Sequence, residues 1–301
     1  MTALSIKHLT KRYGSFTAVD DLSVDVEPAS VCGLLGPNGS GKSTTFKCLL
    51  GLARATSGSV TIEGAPLQPG TFDYLAYVPE KSALYEWMTV EQHLEMARRA
   101  YRKYDAARAR ELLATFKLPP KKLVRRLSKG QHTALALVLA FAIRPRVLVL
   151  DEPASGLDPI FQRTVLDLII DAAAGGAGVL FSSHQIGQVE RAADRIAVLR
   201  EGKLVLAGDI DTLKGDEKIV IAAFDALVPE MPELAHDPNV RRIERGGRIV
   251  RLYTDGESER IAGRVAALQP RSLDVVDLTL EDIFLGAVGE DGAAPPIGVE
   301  S

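Results

Sequence analysis

The sequence predicts an α/β core built on a mainly parallel sheet, followed by a smaller α+β unit. Up to about residue 200, short apolar runs typical of strands alternate with segments of helical period, as in a parallel sheet with helices between its strands. One run, Val31 to Leu35, stops abruptly at Gly36, which is typical of a strand that enters a glycine-rich turn. After Gly215 short strands dominate, and Gly246-Gly247 is a strong hairpin pattern.

The elements of the first unit follow from these periods in chain order. We predict strands at 4–9, 22–26, 31–35, 60–62, 74–78, 147–150, 179–182 and 196–200, and helices at 42–52, 90–104, 106–117, 159–173 and 188–194. Pro119 and Pro120 close the helix at 106–117. The first domain is predicted over 1–214, with a helical subdomain at about 81–130.

The second unit is predicted over 216–286. Strands are expected at 218–224, 240–244, 248–253 and 273–277, and helices at 226–234 and 257–268. This β-α-β-β-α-β order is the split-βαβ arrangement of ferredoxin-like domains. Residues 287–301 are predicted to be a flexible tail, because the last thirteen contain three acids, two prolines and no base.

Composition excludes several classes of protein. The chain has 301 residues, of which 46% are hydrophobic and 25% charged, and this excludes disorder over most of its length. The longest apolar run, Ala134 to Ile143, is about half of what a membrane-spanning helix needs. The N-terminus lacks the pattern of a secretory signal, so we expect a cytoplasmic protein. Cys32 and Cys48 are expected to be reduced and buried.

Charge is distributed unevenly. The formal net charge is −3, so no global field attracts nucleic acid. The segment 98–126 nevertheless holds eleven basic and two acidic residues, a net charge of +9. This basic segment is interpreted either as a solvated helical face or as a surface close to anionic lipid head groups or an acidic partner.

A phosphate-binding loop follows the strand 31–35. The motif G-x-x-x-x-G-K-[ST] lies between a predicted strand and a predicted helix, where backbone N–H groups can surround phosphates. Its residues are Gly36, Pro37, Asn38, Gly39, Ser40, Gly41, Lys42 and Ser43, and Thr44 follows them. Lys42 is expected to reach the β and γ phosphates, and Ser43 to ligate Mg²⁺.

Two carboxylates, Asp151 and Glu152, end the buried strand 147–150. Asp151 is expected to hold Mg²⁺ through water, and Glu152 to polarise the attacking water as general base. Together with the phosphate loop, this pair predicts a P-loop NTPase.

Leu127-Ser128-Lys129-Gly130-Gln131 identifies the kind of NTPase. It resembles the LSGGQ signature of the ATP-binding cassette (ABC) ATPases, which precedes a helix and the Asp-Glu strand. Three further marks follow the family order: Tyr13 as the residue that stacks on adenine, Ser155 to Asp158 as the D-loop, and His184 as the switch histidine. The resemblance covers residues 4–214 and implies a mixed sheet core with antiparallel β and helical subdomains.

The resemblance implies a head-to-tail dimer with a second copy or a paralogous ABC ATPase. Each ATP would lie between the phosphate loop of one subunit and the signature of the other, where Ser128, Gly130 and Gln131 would bind it. His184 would contact the γ-phosphate, and Asp158 would link the two sites. The implied partner is an integral membrane permease, which would hold the protein on the inner face of the cell membrane. Its cytoplasmic coupling helices would contact the helical insertion at 81–126.

The chain departs from the family pattern at several positions. Glu80 stands where Gln is usual, and we expect it to contact the nucleotide and Mg²⁺; this change and the ending 280–285 resemble the branch that serves ABC-2-type exporters. Lys129 replaces a glycine of the signature, as that branch also shows. The segment 132–135 is more apolar than is usual, which leaves the surface of the signature helix and the dimer geometry open.

Two alternatives to a transporter ATPase stay open at this point. One is an ABC ATPase that moves a membrane partner without transport, which sequence does not separate from a transporter. The other is an ABC ATPase of DNA repair or translation, which is disfavoured by the single cassette, the short insertion and the absence of global basicity, so no nucleic acid is expected. If the basic segment faces the membrane, charge reversal at Arg98, Arg99 and Arg102 should weaken assembly of the membrane complex.

Overall fold

The computed structural model describes residues 2–81, 83–215 and 217–288. The chain divides into two compact units, residues 1–208 and 209–301. The strands of the first unit are β1 (Leu4–Tyr13), β2 (Phe16–Val26), β3 (Val31–Leu35), β4 (Ser57–Ile62), β5 (Ala65–Pro66), β6 (Leu75–Val78), β7 (Val147–Leu150), β8 (Gly178–Ser183), β9 (Arg195–Arg200) and β10 (Lys203–Asp209). Its helices are α1 (Lys42–Leu49), α2 (Val90–Ala100), α3 (Ala106–Thr115), α4 (Lys129–Ala142), α5 (Pro159–Ala174) and α6 (Ile186–Ala192).

Two sheets form the frame of the first unit. One is antiparallel, with the strand order β2-β1-β4-β5, and the other has the order β10-β9-β3-β8-β7-β6. Within the second sheet β3 pairs in parallel with β8 and β9, and β7 pairs in parallel with β6 and β8. Every residue of β3 and of β7 is buried, as expected for parallel strands covered on both faces. The predicted α/β core is confirmed.

The core of the first unit lies between the two sheets and surrounds α1. Phe46 is fully buried and Leu49 is 1% exposed, and both pack against side chains of the two sheets. Cys32 and Cys48 belong to the same core. Burial raises the pKa of Cys32 to about 12 and also raises the pKa of Cys48. Both thiols therefore stay protonated and act as packing residues.

The helical subdomain consists of α2, α3 and α4. Thr89 and Gln92 form a capping box that starts α2. The two predicted helices are shorter than expected: α2 ends at Ala100 and α3 at Thr115. The apolar residues of the segment 132–135, Ala134 and Leu135, point into the core. Among the described helices, none has the length and apolar character needed to cross a membrane.

The second unit contains a four-stranded antiparallel sheet. Its elements are α7 (Ile210–Lys214), β11 (Glu217–Ala223), α8 (Pro232–Ala235), β12 (Val240–Gly246), β13 (Ile249–Asp255), α9 (Ser258–Ala266), β14 (Ser272–Asp277) and α10 (Leu280–Val288). The order β12-β13-β11-β14 is that of the ferredoxin-like arrangement expected from the sequence. The helix expected at 226–234 is wrong, because Pro229 cannot donate a helical hydrogen bond and the helix begins only at Pro232.

The ends of the second unit differ from the expected bounds. The division at residue 208 places α7 with the second unit, whereas the boundary was expected at 214; α7 packs against α10. Strand β10 was not expected, and it follows β9 through a tight turn in which Glu201 and Gly202 have positive φ. The tail expected from 287 begins inside α10, and residues 289–301 lie outside the described residues.

Candidate active site

The phosphate loop connects β3 to α1, as the sequence predicts. Two of its glycines are required by close backbone contacts. A Cβ on Gly36 would collide with the carbonyl oxygen of Leu199, and a Cβ on Gly41 would lie 2.6 Å from the carbonyl oxygen of Ala18. Gly41 also has φ of 110°, where L side chains are strained. The loop is therefore held against neighbouring backbone and can present its N–H groups to an anion.

Lys42 is buried inside this loop. Its ammonium donates hydrogen bonds to the carbonyl oxygens of Gly36 at 2.7 Å and Pro37 at 3.3 Å. The same Nζ lies 3.8 Å from Oε1 of Glu152. A buried cation held by carbonyl oxygens is placed in advance for an anionic ligand.

Four adjacent parallel strands bring the predicted residues to one edge of the sheet. In the order β3, β8, β7 and β6, their carboxyl ends lead into the phosphate loop, His184, the Asp151-Glu152 pair and Glu80. Ligands of parallel sheets bind at this edge. The structure therefore groups these side chains although they are far apart in the sequence.

Ser182 connects the Asp151 carboxylate to the backbone of Glu152 and was missed by the sequence analysis. Its Oγ is fully buried; it donates to Oδ1 of Asp151 at 2.7 Å and accepts from the Glu152 backbone N–H at 3.0 Å. Glu152 itself has φ of 50°, in the left-handed region that non-glycine residues rarely adopt. The serine bond to its N–H holds this backbone in place. One feature of the sequence could have indicated Ser182: it is a polar residue at the end of an otherwise apolar strand.

His184 contacts the carboxylate expected to act as base. Its Nδ1 lies 2.8 Å from Oε2 of Glu152. Because a carboxylate only accepts, Nδ1 carries the hydrogen, and Nε2 is left for a phosphate or water. The negative charge of the site also acts on Tyr77, on the neighbouring strand β6. Burial, together with the charges of Asp151 and Glu80, raises the pKa of Tyr77.

These residues surround a cavity of about 590 Å³. Its lining comprises Phe16, Ala18, Asn38, Gly39, Ser40, Gly41, Lys42, Ser43, Thr44, Glu80, Glu152, Ser155 and His184. Among the described residues, Ser40 Oγ is the buried side-chain oxygen that lacks a hydrogen-bond partner. Such a group costs about 1–3 kcal/mol, and a phosphate oxygen would satisfy it. We call the residues that line this cavity, together with Asp151, the phosphate-loop half-site.

The aromatic side chain expected beside the adenine, Tyr13, lies on the β1–β2 hairpin. Tyr13 is 49% exposed, and the ammonium of Lys11 lies 4.5 Å from its ring centroid. Phe16 pairs with Tyr13 across the hairpin, is 63% exposed and lines the cavity, whereas Tyr13 does not. Phe16 is a second aromatic candidate that the sequence analysis missed, and its position just after the turn that follows Tyr13 could have indicated it.

The signature residues lie at the start of α4. Ser128 and Gln131 form a capping box, in which the Ser128 Oγ accepts from the Gln131 N–H and the Gln131 side chain accepts from the Ser128 N–H, both at 3.2 Å. Lys122 donates to the same Gln131 oxygen at 3.2 Å. There is little space for a side chain at position 130, because a Cβ on Gly130 would lie 3.3 Å from the Leu157 side chain.

The D-loop packs against the signature. Asp158 caps α5 through the N–H groups of Ile160 and Phe161. The end of the Lys129 side chain lies over Gly156, with Cε and Nζ both 3.2 Å from the position that a Cβ would occupy. A second cavity of about 530 Å³ is lined here by Phe116, Lys117, Ser128, Lys129, Gly130, Gln131, Ala134, Gly156, Leu157, Asp158 and Phe161. We call this group the signature half-site.

One chain does not bring the two half-sites together. Ser128, Gly130, Gln131 and Asp158 are absent from the lining of the phosphate-loop cavity, and no phosphate-loop residue lines the signature cavity. The D-loop contributes to both cavities: Ser155 lines the phosphate-loop cavity, and the next three residues line the signature cavity.

An apolar groove of about 730 Å³ lies between the sheet edge and the helical subdomain. Large exposed apolar side chains line it, among them Leu52 at 69%, Phe72 at 42% and Met96 at 40% exposure. Tyr77 lines it as well, so β6 borders both this groove and, at its end, the half-site that holds Glu80.

The basic segment 98–126 is partly neutralised by neighbouring acids. Glu95, which precedes it, binds Arg98 at 2.6 Å and Arg99 at 2.7 Å. These two arginines hold the pKa of Glu95 at about 2. The charge counted from residue 98 onward therefore overstates the free charge of α2.

Comparisons with known proteins agree with this geometry. Residues 19–155 match the family model described as ABC transporter. The chain is 29% identical to the ABC transporter ATP-binding protein YtrB of Bacillus subtilis, over 95% of this chain and 98% of YtrB. It is 30% identical to the daunorubicin resistance ATP-binding protein DrrA3 of Streptomyces coeruleorubidus, over 96% and 97% of the two chains. A solved ATP-binding subunit of an ABC transporter superposes with a TM-score of 0.67 at 33% identity, covering 71% of this chain and 92% of that one.

Proposed function

Because the chain belongs to the ATP-binding proteins of ABC transporters and is an ATPase of that family, we propose that it drives export through a separate membrane permease. In this proposal it closes on a second cassette when ATP binds and separates from it after hydrolysis. The second cassette is another copy of the chain or a paralogue. The protein then lies at the inner face of the membrane, held by its permease.

The separation of the two half-sites is the observation that carries the proposal. The phosphate-loop half-site has a buried lysine, a base and a histidine, while the serine and helix N-terminus of the signature half-site line a different cavity. A nucleotide bound at the phosphate loop would expose its γ-phosphate, and the N-terminus of α4 in a second cassette can bind that charge. ATP then stabilises the closed dimer, and loss of the γ-phosphate destabilises it.

The side chains of the phosphate-loop half-site suit hydrolysis of ATP. Lys42 would bind the β and γ phosphate oxygens, and Glu152 would accept a proton from the attacking water. The hydrogen bond from Nδ1 of His184 to Glu152 orients the base and leaves Nε2 to hold the γ-phosphate. Tyr13 and Phe16 together would stack on the adenine, and Asp158 of the partner cassette would link the two sites.

The oxygen donors of this half-site fit Mg²⁺. Ser43 and Glu80 line the cavity with hydroxyl and carboxylate oxygens, which Mg²⁺ prefers, and the buried Asp151 lies behind them. Asp151 is held by Ser182 at 2.7 Å. Bound there, the ion would neutralise charge on the phosphates.

The apolar groove supports the permease as partner. Its lining is mainly apolar and aromatic, with a few polar side chains, which fits an amphipathic helix laid into a groove. Tyr77 lines this groove and lies close to Asp151 and Glu80, whose charges raise the pKa of Tyr77. A segment of the permease seated here would therefore lie close to the nucleotide.

The direction of transport is inferred from relatives. DrrA3 is named for daunorubicin resistance, and it matches this chain over almost its whole length. Glu80 and the ending 280–285 also resemble the ABC-2-type exporter branch. We therefore propose export and leave the substrate open.

The Glu152→Gln variant tests the proposal. The amide keeps the size of the side chain but cannot accept the proton, so turnover should fall by roughly 10² to 10⁴. ATP binding should persist, and the variant should be a dimer with ATP and a monomer without it, measured by light scattering. Turnover near that of the unchanged protein would reject Glu152 as base.

Co-purification with this variant tests the partner. With ATP present, Glu152→Gln protein should recover a multi-span permease from detergent-solubilised membranes, and vesicles containing the complex should then transport substrate. ATPase activity in a complex that moves nothing would favour a mechanical role on the partner. Recovery of ribosomes or DNA in place of a permease would reject the transport proposal.

A further inference from the structure

We propose that a patch beside the apolar groove binds anionic lipid head groups directly, without the permease. The patch consists of Tyr85, Trp87, Arg125 and Arg126, and we call it the aromatic-basic patch. It goes beyond the proposed function, because the contact needs neither ATP nor a second protein.

Trp87 is the centre of the patch. It is the single tryptophan of the chain and is 71% exposed. Its ring centroid lies 5.0 Å from that of Tyr85, which is 45% exposed. Tryptophan and tyrosine are enriched at the level of lipid head groups, where the apolar ring and the polar N–H or O–H are both accommodated.

The loop that carries these rings is held in place by a buried histidine. His93 is 1% exposed, accepts from the Tyr85 backbone N–H through Nε2 at 3.0 Å, and donates from Nδ1 to the Thr89 carbonyl at 2.9 Å. The Tyr85 ring also stacks on the His93 ring, with centroids 6.1 Å apart. The aromatic pair is therefore presented by a hydrogen-bonded loop, which reduces the entropy lost on binding.

Basic residues lie directly beside the aromatic pair. The Arg125 N–H donates to the Glu86 carbonyl at 3.1 Å, and the Val124 N–H donates to the Met88 carbonyl at 2.9 Å. Val124 is fully buried and anchors the turn, while Arg125 and Arg126 are exposed. In the described ranges neither Arg125 nor Arg126 forms an ion pair, and Glu86 is the one acid in the segments 84–88 and 119–126.

This end holds part of the free charge of the basic segment, since Arg102, Lys103 and Lys117 also form no ion pair among the described residues. Arg98 and Arg99 are paired with Glu95, and Arg108 is paired with Glu111 at 2.8 Å. Arg125 and Arg126 form no ion pair among the described residues and lie next to an exposed indole, with Glu86 as the neighbouring acid. Unpaired cations beside an exposed aromatic ring fit an anionic interface better than a solvated helical face does.

Lipid is favoured over a protein partner because the patch lies outside the groove. Tyr85 lines the groove, but Trp87, Arg125 and Arg126 do not. A protein helix seated in the groove would contact Tyr85 and leave Trp87 and the arginines exposed. A broad anionic surface can contact all of them.

Trp87 supplies its own probe. The purified full-length protein is mixed with phosphatidylcholine vesicles that contain or lack phosphatidylglycerol, without permease or nucleotide. With anionic vesicles we expect a blue shift of the Trp87 emission, quenching by lipids brominated on the acyl chain, and co-sedimentation that weakens with salt. Vesicles of phosphatidylcholine alone should give little of any of these.

A pair of matched variants tests the charge. Arg125→Glu with Arg126→Glu should weaken co-sedimentation by about tenfold or more, since each cation near an anionic surface contributes roughly fivefold. Arg245→Glu with Arg248→Glu, which reverses two exposed arginines of the second unit, should change binding less than twofold. Circular dichroism checks that both variants fold.

Three outcomes would overturn the proposal. One is an unchanged Trp87 emission with anionic vesicles. Another is equal loss of binding in the two reversed pairs, which would mean unspecific attraction. The third is a shift that appears only when the permease is present in the vesicles, which would assign Trp87 to a protein contact.

Discussion

The two half-sites of this chain differ in how their side chains are held. In the phosphate-loop half-site Lys42 is 6% exposed, and Lys42, Glu152 and His184 lie in contact, with Ser182 behind Glu152. In the signature half-site Ser128 and Lys129 are exposed, and the hydrogen bonds at Ser128 are those of a helix cap. The first is arranged to perform chemistry, and the second is an open surface that needs another molecule to bury it.

The largest expected effect is a difference in ATPase activity between a variant of Lys42, in the phosphate-loop half-site, and a variant of Lys129, in the signature half-site. Lys42→Met removes the buried cation and should lower kcat/KM for ATP by roughly 10³-fold, because the ammonium would no longer bind the phosphate oxygens. Lys129→Met keeps the aliphatic end over Gly156 and should stay within about threefold, since an exposed charge is worth little. Steady-state ATPase assays and binding of a fluorescent ATP analogue measure both.

Equal losses in the two lysine variants would break the distinction between a preorganised and an open half-site. Thermal unfolding of each variant is the control, because Lys42 lies 3.8 Å from the 10% exposed Glu152 side chain and its removal affects a buried carboxylate.

A pair of glycines gives the next effect. Gly41→Ala places a Cβ 2.6 Å from the Ala18 carbonyl at φ of 110°, a strain of about 1–3 kcal/mol. ATP affinity, measured by calorimetry, should fall by about ten- to a hundredfold. Gly130→Ala needs only a small shift of Leu157, so it should leave that affinity unchanged and weaken ATP-dependent dimerisation a few-fold.

Ser182→Ala should have a smaller effect on turnover. The substitution leaves the Glu152 N–H and one Asp151 oxygen without their partner, which costs about 1–3 kcal/mol of stability and should lower kcat about tenfold. Ser5→Ala is the control, because Ser5 donates to Asp25 at 2.6 Å on the antiparallel sheet. If both variants reduce kcat alike, Ser182 has no special part in positioning the base.

The smallest effect is expected at the signature cap. Lys122→Met removes the bond to Gln131 and should weaken ATP-dependent dimerisation two- to threefold, with no change in ATP binding to the monomer. Lys121→Met, at an exposed neighbour without this bond, should change neither quantity. Analytical ultracentrifugation with ATP measures the dimer. A large effect would show that the signature half-site is more preorganised than its exposure suggests.

Much of the fold could be predicted because local patterns and tertiary structure agree. The strands Val31–Leu35 and Val147–Leu150 are apolar on both faces, and the residues that follow parallel strands meet at one sheet edge. The prediction of a helix at 226–234 was wrong because it followed the hydrophobic period of the segment, whereas the prolines in it prevent a helix before Pro232. Strand β10 was missed because its mixed burial lacks a regular alternation.

The candidate site was predictable only where a residue belongs to a contiguous motif. Lys42 and Glu152 stand in motifs, but the contacts of Glu152 with Lys42 and His184 depend on the order of strands. Ser182 and Phe16 are single residues whose roles come from neighbours that are distant in the sequence or across a turn. The free charge of Arg125 and Arg126 depends on which acids lie near, and composition does not contain that information.

The left-handed backbone at Glu152 has a consequence for how the protein responds to selection. At φ of 50° a side chain with a Cβ is disfavoured by roughly 1–2 kcal/mol, whereas glycine is tolerated without strain. In the proposed function, glutamate at this position serves as the base, against the preference of the backbone. Replacement by glycine would relieve this strain but leave the buried Lys42 without the carboxylate 3.8 Å away, so a screen for heat resistance alone should not favour glycine at 152.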